Sequence, residues 1–236
     1  DNMTFDCTSN PIWVQVLASG YGLAFQECPG TVTSPTSRVA ATNGAKAADL
    51  VTQVNGTIGS FAAKDLATVL VGSHDVLAAY QTYKAGSATE AVATAQVQAA
   101  GAAVAVQVNR IAETGTKVIV STLPELGLTP YGIGEGASNA DLLNRLTVSF
   151  NLGLLKTLTN DGHKIGLVEP DKMVRNIFNA PANNGYVNWT QAACGAVVLT
   201  SCTTTTLLGV MDTTTTSNAG QPASAATWLW AGDLQL

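Results

Sequence analysis

Charge is what this sequence has least of. Only 11% of its 236 residues are Asp, Glu, Lys or Arg, and so few charges exclude a disordered tail, which stays open through high net charge and low hydrophobicity. Lys and Arg number 11 against 16 Asp and Glu, a net charge of −5, which removes the basic footprint of a nucleic-acid binder. Histidine is nearly missing: His74 and His163 are the only two. No C-x-x-C occurs either, so the spacing of a zinc site is absent, and no metal or cofactor is expected. No apolar run reads as long enough to span a bilayer, and no leader is visible. The opening at Asp1 is read as a mature form with its leader removed.

What is present is apolar mass. At 46% hydrophobic residues, the chain can fill the core of one large α/β domain over residues 1–236. The polar residues are chiefly Ala-accompanied Thr, Gly, Ser and Asn, with little Lys, a composition frequent among secreted bacterial proteins. Four cysteines occur: Cys7, Cys28, Cys194 and Cys202. Their even number and their neighbourhood in sequence suggest disulfides Cys7–Cys28 and Cys194–Cys202; four reduced buried thiols is the other reading.

The chain is organised around DLATVLVGSHDVLAAY, residues 65–80. Leu66 to Val71 has the apolar, partly β-branched character of a strand buried on both faces. Gly72 permits a tight turn carrying Ser73, His74 and Asp75, and Val76 to Tyr80 starts a helix. Strand, glycine, polar cluster and helix is how an open α/β sheet presents chemistry at the carboxyl end of a strand. A plain connecting turn is the alternative.

Around this stretch, Asn10 reads as a helix cap and Pro11 as its first turn, with Trp13, Val14, Val16 and Leu17 as an apolar face ended by Gly20 and Gly22. Arg38 to Ala48 is strand-like, broken at Asn43-Gly44, where a glycine lets backbone N–H groups approach a ligand. Helices are expected over 49–61, 87–113, 138–160 (capped by Ser138 or Asn139) and 171–179. Strands are expected over 117–123, 164–168 and 226–231, with mostly loop over 181–226. Met3 to Asp6 is a further, short strand candidate. Asn2, Asn55 and Asn188 open N-x-Thr triplets, the N-glycosylation pattern of a eukaryotic secretory route. Alternating strands and helices predict a parallel sheet covered on both faces.

Several pieces, in this order, resemble the SGNH/GDSL hydrolases, in particular the secreted bacterial esterase and lipase branch. Val69-Leu70-Val71-Gly72-Ser73-His74-Asp75 resembles that family's strand ending in Gly-x-Asn-Asp. Leu123 to Pro130 is similar to its LPDLGLTP loop. Ser149-Phe150-Asn151 resembles its FN helix, and Asn179-Ala180-Pro181 through Tyr186 to Cys194 its late loop. Trp228 to Gln235 resembles its closing ADDLHL block, and Asn10 to Val14 the segment that follows its nucleophile. The resemblance implies a three-layer α/β/α sandwich with a flavodoxin-like, mostly parallel sheet. It implies a serine esterase or lipase acting on a small acyl ester or lipid, secreted, periplasmic or at the cell surface.

The catalytic positions depart from the pattern. No Gly-Asp-Ser-Leu block occurs; an alternative alignment places Cys7 on the serine. The position matching the oxyanion asparagine holds His74. The positions matching the catalytic Asp and His hold Gly232 and Gln235, while Asp233 falls one residue off. Gly44 alone matches as the oxyanion glycine. Acyl transfer needs a nucleophile, a base within reach and a group that orients the base, and glutamine takes no proton at neutral pH. His163 precedes a strand and is expected at the wrong edge of the sheet. Gly44, His74, Gly232 and Gln235 are expected to converge at one edge, because Gly44, His74 and Gln235 each follow a strand-like run. Two readings follow: an ester hydrolase by lineage, impaired or inactive as written, or a non-catalytic domain with a binding, structural or assembly role, self-association included.

Overall fold

The computed structural model describes residue 7 and residues 11–213 and 219–236. The Met3–Asp6 strand candidate, the Asn2 triplet and the Asn10 cap lie outside the described residues. Eight helices are described: α1 (Trp13–Gly20), α2 (Ala47–Thr57), α3 (Ser73–Lys84), α4 (Glu90–Glu113), α5 (Pro130–Gly134), α6 (Ala137–Thr157), α7 (Pro170–Asn179) and α8 (Thr204–Leu207). The strands are β1 (Leu66–Val69), β2 (Lys117–Ser121), β3 (Ile165–Val168), β4 (Asn188–Ala192) and β5 (Trp228–Trp230). The architecture is mixed α/β, with helices flanking two small parallel sheets.

The larger sheet runs in the order β1-β2-β3, all parallel, with Ala67 opposite Val118 and Val118 opposite Ile165. Parallel neighbours need long crossovers, which α3 with α4, and then α6, supply. One face of this sheet builds the main core. Val69, Val118, Val120 and Ile165 pack with Leu50 and Val54 of α2, Val76 and Tyr80 of α3, Val104, Val108 and Ile111 of α4, and Leu143, Leu146 and Phe150 of α6. The opposite face does not match the expectation of strands buried on both sides. Leu66 is 51% exposed, Leu70 58% and Val168 50%, and Thr68 and Gly166 are exposed beside them.

α4 and α6 pack with backbones in near contact. A Cβ on Gly101 would lie 2.0 Å from the Phe150 carbonyl oxygen, and one on Gly153 would lie 2.0 Å from that of Gln98. Only a hydrogen fits at both places. By length and hydropathy α4 also has the dimensions of a membrane-crossing helix, a feature the sequence reading missed; here its apolar face, Val97 to Ile111, is part of the core. Its N-cap is Thr89, whose hydroxyl accepts from Val92 N–H at 3.3 Å. α6 starts not from a Ser138 or Asn139 cap but from Gly136, at φ 87°, where the chain reverses in a conformation side chains avoid.

Two further expectations change. The strand-like run from Arg38 to Ala48 forms no strand: residues 38–46 are irregular, with a turn at Asn43-Gly44, and Ala47 and Ala48 begin α2. β5 forms as expected but joins β4 in a separate two-stranded sheet, not the β1–β3 sheet. This carboxyl-terminal part has its own apolar clusters. Ala193, Cys194, Leu207, Ala223 and Trp228 form one. Leu229 and Trp230 form the other, with Val174 and Ile177 of α7. Both expected disulfides are present, Cys7–Cys28 and Cys194–Cys202. They point to an oxidising, extracytoplasmic environment.

α1 forms two residues later than the sequence suggests, with Ile12 as its cap and the Ile12 N–H donating to the Gln15 side chain at 2.7 Å. None of its residues is buried.

Candidate functional site

The carboxyl end of β1 carries the polar cluster singled out from the sequence. After β1 the chain turns at Gly72, whose φ of 129° is open to glycine. Ser73, His74 and Asp75 then form the first turn of α3, and the carboxylate of Asp75 sits where the helix dipole favours it. Asp75 does more than that. Its Oδ2 accepts from the N–H of Ala47 at 2.9 Å, so one carboxylate joins the amino ends of α2 and α3. Burial pushes its carboxyl up from the usual 3.8, opposed by the Ala47 N–H and then by Lys46.

That bond ties the start of α2, three residues after Gly44, to the first turn of α3, which holds His74. Gly44 has φ 77°, a turn conformation, and a Cβ there would meet open space. Its glycine is therefore required by backbone conformation rather than by crowding. A cavity of about 160 Å³ lies beside this corner, lined by Lys46, Asp75, Thr82 and Gln96. It is smaller than the several hundred Å³ of ordinary ligand pockets. A larger, open depression of about 430 Å³ runs along α7, lined by Lys172, Met173, Arg175, Asn176 and Asn179, and holds none of the four positions.

Gly232 and Gln235 meet each other. The Gly232 N–H donates to the Gln235 carbonyl at 3.2 Å, and Ala231 N–H donates to the same oxygen at 2.9 Å. The Gln235 side-chain oxygen accepts from Leu234 N–H at 3.3 Å and stands 2.6 Å from where a Gly232 Cβ would be. This closing turn is held to the body through Asp233, whose carbonyl accepts from Tyr131 N–H at 3.1 Å. The Tyr131 hydroxyl in turn accepts from Gln81 of α3 at 3.0 Å. The turn is thus tied to the helix whose first turn holds His74, seven residues from Gln81, or about 10 Å along the axis. The strand premise for the four-residue convergence is corrected: residues 38–46, which lead into and out of Gly44, form no strand, and the strand before Gln235 belongs to the smaller sheet.

His163 is exposed just before β3, and its carbonyl accepts from Lys117 Nζ at the start of β2. It therefore stands at the amino edge, as the sequence reading expected. The Cys7 sulfur is bonded to Cys28 and offers no thiolate, which removes it as a nucleophile in the oxidised chain. Among the triplet asparagines, Asn55 is exposed on α2, whereas Asn188 is buried and donates to Gln191 at 2.8 Å.

Three features escaped the sequence reading. Glu135 accepts from Tyr80 Oη at 2.5 Å and pairs with Lys84. Glu125, buried in the loop after β2, pairs with Arg175 of α7. Thr122 donates to Asp171 at 2.5 Å. A charge inside the apolar run LPELGL was a readable signal for the second. The other two depend on helix placement. Among the described residues no three His, Cys, Asp or Glu side chains gather at metal-binding distance. Neither family models nor curated proteins match this chain.

Proposed function

We propose that the chain is an extracytoplasmic domain of SGNH/GDSL ester-hydrolase type whose acyl-transfer chemistry is disabled in this sequence, and which binds rather than turns over. The observation that carries this reading is the closing turn. The positions matching the family's acid and base hold Gly232 and Gln235, joined by a bond from the Gly232 N–H to the Gln235 carbonyl, while the Gln235 side-chain oxygen is taken by Leu234 N–H. Neither group takes up a proton at neutral pH. His163 stands at the other edge, and His74 replaces an amide donor with an imidazole that still offers one N–H.

The ligand class that suits the lineage is a small acyl ester or a lipid, held without hydrolysis. In the finer architecture we propose, the β1–β3 sheet belongs to a three-layer α/β/α sandwich in which α2, α3, α4 and α6 supply the layer on the core face, the face of Leu66, Leu70 and Val168 being open among the described residues. The sealed disulfides fit a secreted, periplasmic or cell-surface location.

Labelling with a fluorophosphonate tests the proposal. The expected result is no covalent adduct and no ester turnover above buffer. A stoichiometric adduct mapped to one serine overturns it.

A further inference from the structure

We propose that the outer face of α7 is a binding site for an acidic saccharide, whose carboxylate sits on Arg175 and Lys172 and whose hydroxyls meet Asn176 and Asn179. The site holds none of the four positions matched to ester chemistry, so the proposal stands whether or not the chain hydrolyses esters.

α7 sorts its side chains by face. Val174 and Ile177 are buried in one cluster with Leu229 and Trp230. Lys172, Arg175, Asn176 and Asn179 are exposed, and their i, i+3, i+4, i+7 spacing sets them along one side of the helix. With Met173 they line the depression of about 430 Å³, which is open among the described residues. From Lys172 to Asn179 the stripe runs about 10 Å, at the helical rise. All four side chains donate hydrogen bonds, and none is acidic.

The stripe is held in place from the core side. Glu125, in the loop after β2, is 4% exposed, and its carboxylate pairs with Arg175. A carboxylate so deeply buried needs a cation beside it. In bidentate geometry it takes two of the five guanidinium N–H donors. The Arg175 side chain is 55% exposed, which leaves donors on the solvent side. Thr122 donates to Asp171 at 2.5 Å and fixes the first turn of the same helix to the end of β2. Donors positioned in advance lose little freedom on binding.

The donor set selects the ligand. A guanidinium beside an ammonium suits one carboxylate. Lys172 also pairs with Glu169 at 2.5 Å, a surface contact that an incoming carboxylate displaces at little cost. Amides both donate and accept, as hydroxyls do, so Asn176 and Asn179 match a polyol rather than a second anion. Two cations are too few for a polyanion such as a nucleic acid. Met173 alone of the lining is apolar, too little to hold an acyl chain. An anion at one end of the stripe and hydroxyls at the other describe a sugar acid.

The test titrates glucuronate into the full chain and follows backbone amide shifts by heteronuclear NMR. Saturable shifts over α7 and the loop at Glu125 are expected, weakening as salt is raised. Lys172→Gln and Asn176→Ala, both at exposed positions, are each expected to raise the dissociation constant by about 5-fold or more. Arg175→Lys keeps a cation beside Glu125 but loses the planar fork, and is expected to bind about 10-fold more weakly. Urea midpoints confirm that each variant is folded; if Arg175→Lys is not, the other two carry the test. Glucose at the same concentration is expected to leave α7 unshifted. Inorganic phosphate that binds α7 as tightly as glucuronate reduces the site to a bare anion contact and overturns the proposal. Glucuronate that gives no saturable shift on α7, or that binds Asn176→Ala and Lys172→Gln like wild type, overturns it as well.

Discussion

A side chain on Gly72 would collide with Phe150: an ideal Cβ there lies 2.1 Å from the Phe150 ring carbon Cζ. The ring is fully buried, and Gly72 also has φ 129°. Packing and backbone conformation thus demand the same residue, at the turn that places His74 and Asp75. Gly72→Ala is expected to destabilise the fold by about 3–5 kcal/mol, from overpacking plus a disfavoured conformation. Chemical denaturation measures it. Gly44→Ala meets no neighbour and pays only for its positive φ, about 1–2 kcal/mol. A larger loss at Gly44 than at Gly72 would contradict this account.

Asp75 carries a pH signature. Its carboxyl is raised above 3.8 by burial, so the folded chain holds that proton more tightly than the unfolded chain. Folding stability therefore falls as pH rises from the unfolded value through the raised folded one, and the cost remains in full above it. Asp75→Asn removes the cost while keeping an oxygen to accept from Ala47 N–H. The variant is expected to gain stability over wild type at neutral pH, with the gap closing under acid. Urea midpoints across that range check it; a gap that widens under acid means the sign is wrong.

Tyr80 behaves in the same sense at alkaline pH. Burial, with the nearby Glu135 carboxylate, pushes its hydroxyl up from 10.0 to about 12. The unfolded chain ionises first, so stability falls as pH rises from about 10 toward 12. Tyrosinate absorbance is expected to show one late-titrating residue, lost in Tyr80→Phe. Removing its acceptor with Glu135→Gln should bring that titration lower.

Residues 65–80 were legible because each level agreed: an apolar run, a glycine and a polar cap in sequence. The helices expected over 49–61, 87–113 and 171–179 form over Ala47–Thr57, Glu90–Glu113 and Pro170–Asn179 for the same reason, and the cysteine pairs were legible from their even number and proximity. The 38–46 run misled because β-branched and small residues fit an extended segment whether or not a neighbour pairs with it. TWLWA truly forms a strand, but nothing local says which sheet a strand joins; β4, with its polar NWTQA, gave little apolar signal. α1 has the apolar pattern of a packed helix, yet none of its residues is buried. Asp75 was singled out as polar, yet its bond to Ala47 spans 28 residues and has no local signature.

The Cys194–Cys202 bond closes a short loop at the apolar cluster of Ala193, Leu207, Ala223 and Trp228, with Cys194 buried in it. Loop-closure entropy for a separation of 8 residues gives about 2.5 kcal/mol. Replacing both cysteines with alanine is expected to cost about that much, and to act locally. Hydrogen exchange should quicken around β4 and β5 while α4 and α6 keep their protection. Uniform loss across both regions would mean that the two parts unfold as one unit.

Activity is the sharpest test of the site. The chain is expected to hydrolyse short p-nitrophenyl esters hardly faster than buffer. Cys7 is sealed to Cys28, and Gln235 neither accepts nor relays a proton. Restoring the acid–base pair alone, with Gly232→Asp and Gln235→His, is expected to leave turnover unchanged, because a base without a nucleophile has no proton to take. The double variant also has to move local groups: a Gly232 Cβ would lie 3.2 Å from Leu199 Cδ2 as well as near the residue 235 side chain. Its fold is therefore checked first, by near-ultraviolet dichroism of the tryptophans. Adding a Gly-Asp-Ser-Leu strand to that variant is expected to raise turnover, since all three parts are then supplied. Wild-type turnover of roughly 1–10³ per second would instead require a nucleophile in this chain and would end the disabled-site reading. Alanine substitution of Ser73, the serine on the His74 turn, is then the first variant to make.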